Sequence, residues 1–324
     1  MDIIQVITQE LKVEKWQVEA AVKLIDEGNT IPFISRYRKE ATGSLNDEQL
    51  RALFERLTYL RNLEDKKNQV LKSIEDQGKL TEELKKQILD AQTLVVVEDL
   101  YRPYRPKRRT RATIAKEKGL EPLANLILLQ MTNEPLEKEA KAFINEEKDV
   151  KTVEDALKGA NDIIAEHIAD DAEYRTWIRK ATWDHGKITS TAKKPDESSV
   201  FEMYYDFEEP IKKIAGYRIL AINRGEKEGI LQVKIEPDMQ KIASYLARKI
   251  VTKKNPNTTK ALFAAIEDSY KRLIAPSIER DIRNELTENA STEAIKVFGK
   301  NLTQLLMQPP MEGRTVLGLS LIHI

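Results

Sequence analysis

Cysteine is absent from this 324-residue chain. That excludes a disulfide framework, a thiolate zinc site and a cysteine nucleophile. Aromatic residues make up only 6%, and 12 Gly and 12 Pro are spread thinly. Such a composition points to solvated helices rather than a β-rich chain. No run approaches the roughly 18 apolar residues of a membrane span. Met1 is followed by Asp2 and an amphipathic segment, which is not the pattern of a secretory leader. The Gly-Lys pairs at Gly78, Gly186 and Gly299 lack both the earlier Gly and the following Ser or Thr of a phosphate loop. No Gly-x-Ser-x-Gly elbow occurs. Only three His are present. His167 and Asp171 share one helical face at i, i+4, but no third or fourth metal ligand accompanies them, so a solvated helix edge is the simpler reading. No metal or other cofactor is expected.

What is present is apolar residue enough for a core, 41%, and a charge content of 33%. The length suits about two domains of roughly 150 residues each. A net charge of zero conceals segregation. Residues 1–100 carry 15 Lys and Arg against 19 Asp and Glu. Residues 101–120 carry 8 basic residues and one acidic, Glu117, and residues 241–324 carry 13 basic and 8 acidic. Binding responds to such local potential rather than to the sum.

Apolar residues recur with a helical period over Ile3–Glu10 and Glu14–Asp26, with Gly28 as the stop. Thr30–Phe33 reads as extended. Asn46 and Gln49 have capping-box spacing ahead of a long apolar stripe, Leu50 to Ile74, which Gly78 ends. Thr81 caps a further helix, and Leu94–Val97 fits helix or strand. Helical patterns continue to Trp183. The polar stretch 193–199 marks a boundary. Tyr217–Ile222 and Ile230–Ile235 read as paired strands across a Gly-containing loop. Further helices are expected at Asp238–Val251, Thr259–Leu273, Ser277–Leu286 and Ser291–Met307. Thr315–Leu319 reads as the start of a buried strand.

The sharpest local feature is 101–111, with Tyr101, Arg102, Pro103, Tyr104, Arg105, Pro106, Lys107, Arg108, Arg109, Thr110 and Arg111. Six of these eleven residues are Lys or Arg. Cations on a stiffened backbone, with two π-faces among them, suit a phosphate chain and an unstacked base. The competing reading is a connector whose arginines pair with acidic helices and whose tyrosines belong to the core. Arg36, Arg38 and Lys39, around Tyr37, form a smaller version.

The same segments carry a resemblance. Thr30–Gly43, Leu100–Ala115, Arg224–Gly229 and Ser277–Thr287 are similar, in order and spacing, to signatures of the Tex family of bacterial transcription accessory proteins. The resemblance covers about residues 1–319. It implies a helical N-terminal region with helix-turn-helix-like elements, followed in the family by a resolvase/RNase-H-like domain, helix-hairpin-helix units and an S1 domain. The S1 domain is the family's main nucleic-acid-binding module. Thr315–Leu319 resembles the first resolvase-like strand, which in active relatives runs into an acidic metal-site residue. Here Ser320–Ile324 follows instead. That tail resembles a translated adaptor on a truncated reading frame, and it is expected to be non-native.

The expectation is therefore a mainly α chain with a small β-hairpin near 217–236. Its parts would be a helical domain at 1–194, an α+β region at 195–314 and a truncated strand at 315–324. It would be a non-enzymatic, cytoplasmic helical scaffold associated with nucleic acid, RNA or DNA, bound weakly and without sequence preference. RNA polymerase is the further partner the resemblance implies, and no membrane is involved. The rival readings are a metal-dependent nuclease of resolvase-like fold and a pure protein-interaction module docking on RNA polymerase.

Overall fold

The computed structural model describes residues 2–106, 108–253, 255–309, 313 and 315. Two compact units divide the chain. The first holds 1–176 with 255–265, and the second holds 177–254 with 266–324.

In the first unit, α1 (Ile3–Leu11), α2 (Lys15–Asp26) and α3 (Ile31–Tyr37) pack on the first half of α4 (Asp47–Asp76). Ile7, Val18, Ala21, Ile34, Leu50, Leu53, Leu57 and Leu60 form their shared core. The expected capping box is present. Gln49 N donates to Asn46 Oδ1 at 2.8 Å, and Asn46 N donates to Gln49 Oε1 at 3.1 Å. The 30 residues of α4 span about 45 Å, so one helix serves two cores. Its second half packs with α5 (Glu82–Asp90) and α6 (Leu94–Tyr101) around Leu63, Val70, Ile74, Ile88 and Val97. Thr81 caps α5 through Leu84 N, as expected, and Thr93 caps α6. Leu94–Val97 is thereby helix. A departure from the sequence reading is α3. Thr30 is extended, but Ile31 already begins a helix, with Pro32 in the first turn where its missing N–H costs nothing. Then come α7 (Arg111–Glu117), α8 (Glu121–Leu129), α9 (Leu136–Lys141) and α10 (Val153–Asp170).

Residues 176 and 177 fall within α11 (Ala172–His185), and 265 and 266 within α14 (Pro256–Asp268), so each of these helices crosses the unit division. In the second unit, β1 (Lys187–Ala192), β2 (Asp206–Pro210) and β3 (Leu231–Glu236) make an antiparallel sheet of order β2-β1-β3. Lys187 faces Pro210 on one side and Glu236 on the other. The polar stretch 193–199 lies in the connection between β1 and β2. Leu231, Val233 and Ile235 alternate inward along β3.

The expected strand at Tyr217–Ile222 is instead part of α12 (Gly216–Lys227). Burial there falls on Ile219, Ile222 and Gly225, a period of three, while Tyr217 is 67% exposed. β-Branched composition is overridden because this face packs on β3 and on α15 (Ala275–Leu306). Gly225 is needed for that approach, since a Cβ there would sit 2.6 Å from Leu231 Cδ1. The β element is real, but β3 pairs with β1. Between α12 and α13 (Met239–Ile250) the chain turns through β3, and after α14 a π-helical stretch, Ser269–Ile274, leads into α15. Ser277–Leu286 and Ser291–Met307, expected as separate helices, are continuous in α15, whose join at Ala290 is buried. The expected strand at 315–319 and the tail lie outside the described residues, apart from Thr315. No helix among the described residues is long and apolar enough to cross a membrane.

Gly186 ends α11 and admits β1. A Cβ there would run into the backbone carbonyl of Thr182 and meet Ile211 Cδ1 at 3.0 Å. A backbone atom cannot rotate aside as a side chain can. Gly186→Ala is expected to cost about 1–3 kcal/mol, read as a lower urea midpoint.

Candidate nucleic-acid interface

The basic segment leaves α6 under restraint. Tyr101 is half-buried against the second core, and its hydroxyl shares a 2.9 Å hydrogen bond with Ser73 Oγ. Tyr104 packs on the same core, and its carbonyl accepts from Gln77 Nε2 at 2.9 Å. Ser73 lies on α4, and Gln77 is the residue that caps its C-terminus. The rings thus anchor the segment rather than standing in solvent as stacking platforms. Arg102 is half-buried and pairs with Asp170 at 3.6 Å. To this extent the connector reading describes the segment.

The remaining arginines differ. Arg105, Arg108 and Arg111 are exposed and make no ion pair among the described residues. Arg109 Nη2 lies 3.0 Å from Glu117 Oε2, with both side chains well exposed. Thr110 caps α7 through Thr113 N at 3.0 Å, which fixes Arg111 at the first helical position. Lys107 lies outside the described residues. The structure therefore splits the eleven-residue run. The start is bolted to α4 and α10, and towards the end Arg105, Arg108 and Arg111 are exposed without an ion pair among the described residues.

In the smaller cluster, Arg38 sits over the Phe33 ring at 5.3 Å, and Phe33 tilts against Tyr37. Arg36 and Lys39 are exposed without an ion pair among the described residues. The Thr42-Gly43 turn that follows is held by Gln17 Nε2, which donates to Thr42 O at 3.2 Å and Gly43 O at 3.0 Å. Gly43 has φ +61°, and the Trp16 ring occupies the place a Cβ would take. These constraints explain glycine at that position.

His167 is exposed on α10, and Asp171 Oδ1 instead accepts from Tyr174 N at 2.9 Å. No group of three or more His, Asp or Glu able to hold a metal occurs among the described residues.

The motifs at 224–229 and 277–287 meet in the second unit. Arg283 donates to both carboxylate oxygens of Glu226 and to Asn223 Oδ1, and Asn223 Nδ2 donates to Thr287 Oγ1 at 2.8 Å. The Arg283 hydrogen bonds hold the Glu226 carboxyl below its ordinary value of 4.5, against the opposing effect of burial. A lowered carboxylate contributes stability above its unfolded value, and that contribution is lost as pH falls through the folded one. Comparing thermal midpoints at about pH 6 and about pH 3.5, Glu226→Gln is expected to narrow the difference. An unchanged difference would mean that the pair carries no acid sensitivity.

A mainly helical chain with a small antiparallel sheet, presenting an anchored arginine-rich arm, is the class these observations define. The chain matches the Tex-like protein N-terminal domain over residues 1–75 and the Tex central region over residues 131–298. It belongs to the Tex family. YdcI of Bacillus subtilis is 49% identical over 317 residues, covering 97% of this chain and 44% of the relative. The transcriptional accessory protein Tex of Neisseria gonorrhoeae is 41% identical over 329 residues, covering 98% and 43%. The human S1 RNA-binding domain-containing protein 1 is 33% identical over 334 residues, covering 98% and 33%. The chain spans less than half the length of these relatives.

Proposed function

We propose that this chain is the helical part of a Tex-like transcription accessory protein and contacts the nucleic-acid backbone through Arg105, Arg108 and Arg111. The observation that carries this reading is three exposed arginines without ion-pair partners among the described residues, on a segment whose start is fixed by hydrogen bonds to Ser73 on α4 and to its C-cap Gln77. Fixed cations attract phosphates without reading bases, so binding is weak and indifferent to sequence. The relatives' names, transcriptional accessory protein and S1 RNA-binding domain-containing protein, support the same direction. In this role the chain works as a scaffold and needs no catalysis.

Fluorescence anisotropy with labelled single-stranded RNA and DNA tests it. Replacing Arg105, Arg108 and Arg111 together with Ala should weaken binding about tenfold or more at low salt. Exposed side chains without ion pairs contribute little to folding, so the thermal midpoint should hold. A folded triple variant with undiminished affinity would remove this arm from the interface. Absence of any binding by the parent chain would leave the protein-interaction reading in its place.

A further inference from the structure

A second feature, in the other unit, has no part in that reading. The side chains of Trp177 on α11 and Tyr245 on α13 stack with ring centroids 3.8 Å apart and planes within 6°. They line a cleft of about 600 Å³ whose other walls are polar, among them Asp238, Lys241 and Arg248. The apolar stripe of α13, Ile242, Leu246 and Ile250, is already buried. Lys241, Tyr245 and Arg248 follow at i, i+4 and i+7 along a different face of α13. The two cations thus stand about one helical turn, roughly 5.4 Å, on either side of the ring. Arg248 is exposed and makes no ion pair among the described residues. Lys241 Nζ lies 3.6 Å from Asp238, which also caps the helix through Lys241 N at 3.1 Å.

We infer that this cleft takes a base of a single-stranded nucleic acid, stacked on the Trp177–Tyr245 pair, with the flanking phosphates on Lys241 and Arg248. Each ring covers one face of the other, so a base entering the open polar cleft that both rings line would stack on an outer face, and the cations bracketing Tyr245 match the charge on either side of it. A duplex keeps its bases stacked on one another, so the site selects unpaired strands. The inference stands independently of the arm at 101–111.

Tryptophan emission reads the site directly. The chain has three Trp, and Trp16→Phe with Trp183→Phe leaves Trp177 as the sole reporter. Circular dichroism verifies that this background is folded. An oligothymidylate of about 12 nucleotides should quench Trp177 saturably. Tyr245→Leu should weaken the binding read this way about tenfold, and Tyr245→Phe should keep it. Arg248→Glu should weaken it by a similar factor. Asp238→Asn, which still caps the helix, should tighten it. In the Arg105, Arg108 and Arg111 triple variant, Trp177 quenching at saturation should persist, which separates this site from the arm. Oligonucleotide binding seen by anisotropy with no change in Trp177 emission overturns the inference and leaves the arm intact. Equal quenching by polyphosphate overturns the base stacking, and equal quenching by polyglutamate assigns the cleft to an acidic protein. No binding by either method overturns both readings.

Discussion

Asp99→Ala should cost the first unit about 3–5 kcal/mol. Asp99 sits on α6 two residues before Tyr101, and Arg175 Nε donates to its Oδ1 at 2.7 Å. The Arg175 and Asp99 side chains are only 1% and 5% exposed. Removing the carboxylate takes this counter-charge from a guanidinium held away from water, and the cost of desolvating it is no longer offset by the pair. A loss of that size is a large part of the 5–15 kcal/mol typical of a folded domain. The charge itself is not what the fold requires. Replacing both partners with apolar residues, Asp99→Leu with Arg175→Met, should recover most of the loss. Urea unfolding followed by circular dichroism checks both variants. A single variant that melts near the parent would show that Arg175 does not depend on Asp99 for its charge. The arm should respond too, because α6 sets where 101–111 begins, so Asp99→Ala should expose that segment to protease before the rest of the unit unfolds.

That pair illustrates what the sequence could and could not disclose. Helix ends were legible because their causes are local. Asn46 with Gln49, Thr81 before Glu82 and the glycines after α2 and α4 each lie within a few residues of the backbone they satisfy. Asp99 and Arg175 are 76 positions apart, and nothing in either helix's own sequence points to the other. A separation of similar size hid the Trp177–Tyr245 stack. Tyr217–Ile222 misled because its residues favour strands in isolation, whereas its burial follows packing on β3 and on α15, which lies far along the chain. The basic run was conspicuous, yet composition gave no sign of which members were engaged. Tyr101 and Tyr104 were committed to Ser73 and the core of α4, and Arg102 to Asp170. What remained for a ligand was the part of the motif with no local partner.

Because only part of the motif is uncommitted, its salt dependence should be shallow and adjustable. Three arginines meeting phosphates on a single strand give a log–log slope of about −2, and on a duplex about −3. Affinity for single strands should then fall about 20-fold between 50 mM and 200 mM salt. Lys107 lies outside the described residues and is not in that count. Glu117 is the only acidic residue in 101–120, and it holds Arg109. Glu117→Ala removes a negative charge from the arm and frees a fourth cation. The single-strand slope should steepen to about −3, and affinity at low salt should rise several-fold. Stability should barely move, because an exposed ion pair is worth about 0–1 kcal/mol. Most substitutions on a binding surface weaken it, so a gain from deleting a carboxylate is a demanding result. It would place the phosphates at the 105–111 end of the arm and count them. Binding that persists with an unchanged slope in Glu117→Ala would put the phosphates elsewhere on the chain, and the exposed arginines of the arm would then be solubilising charge only.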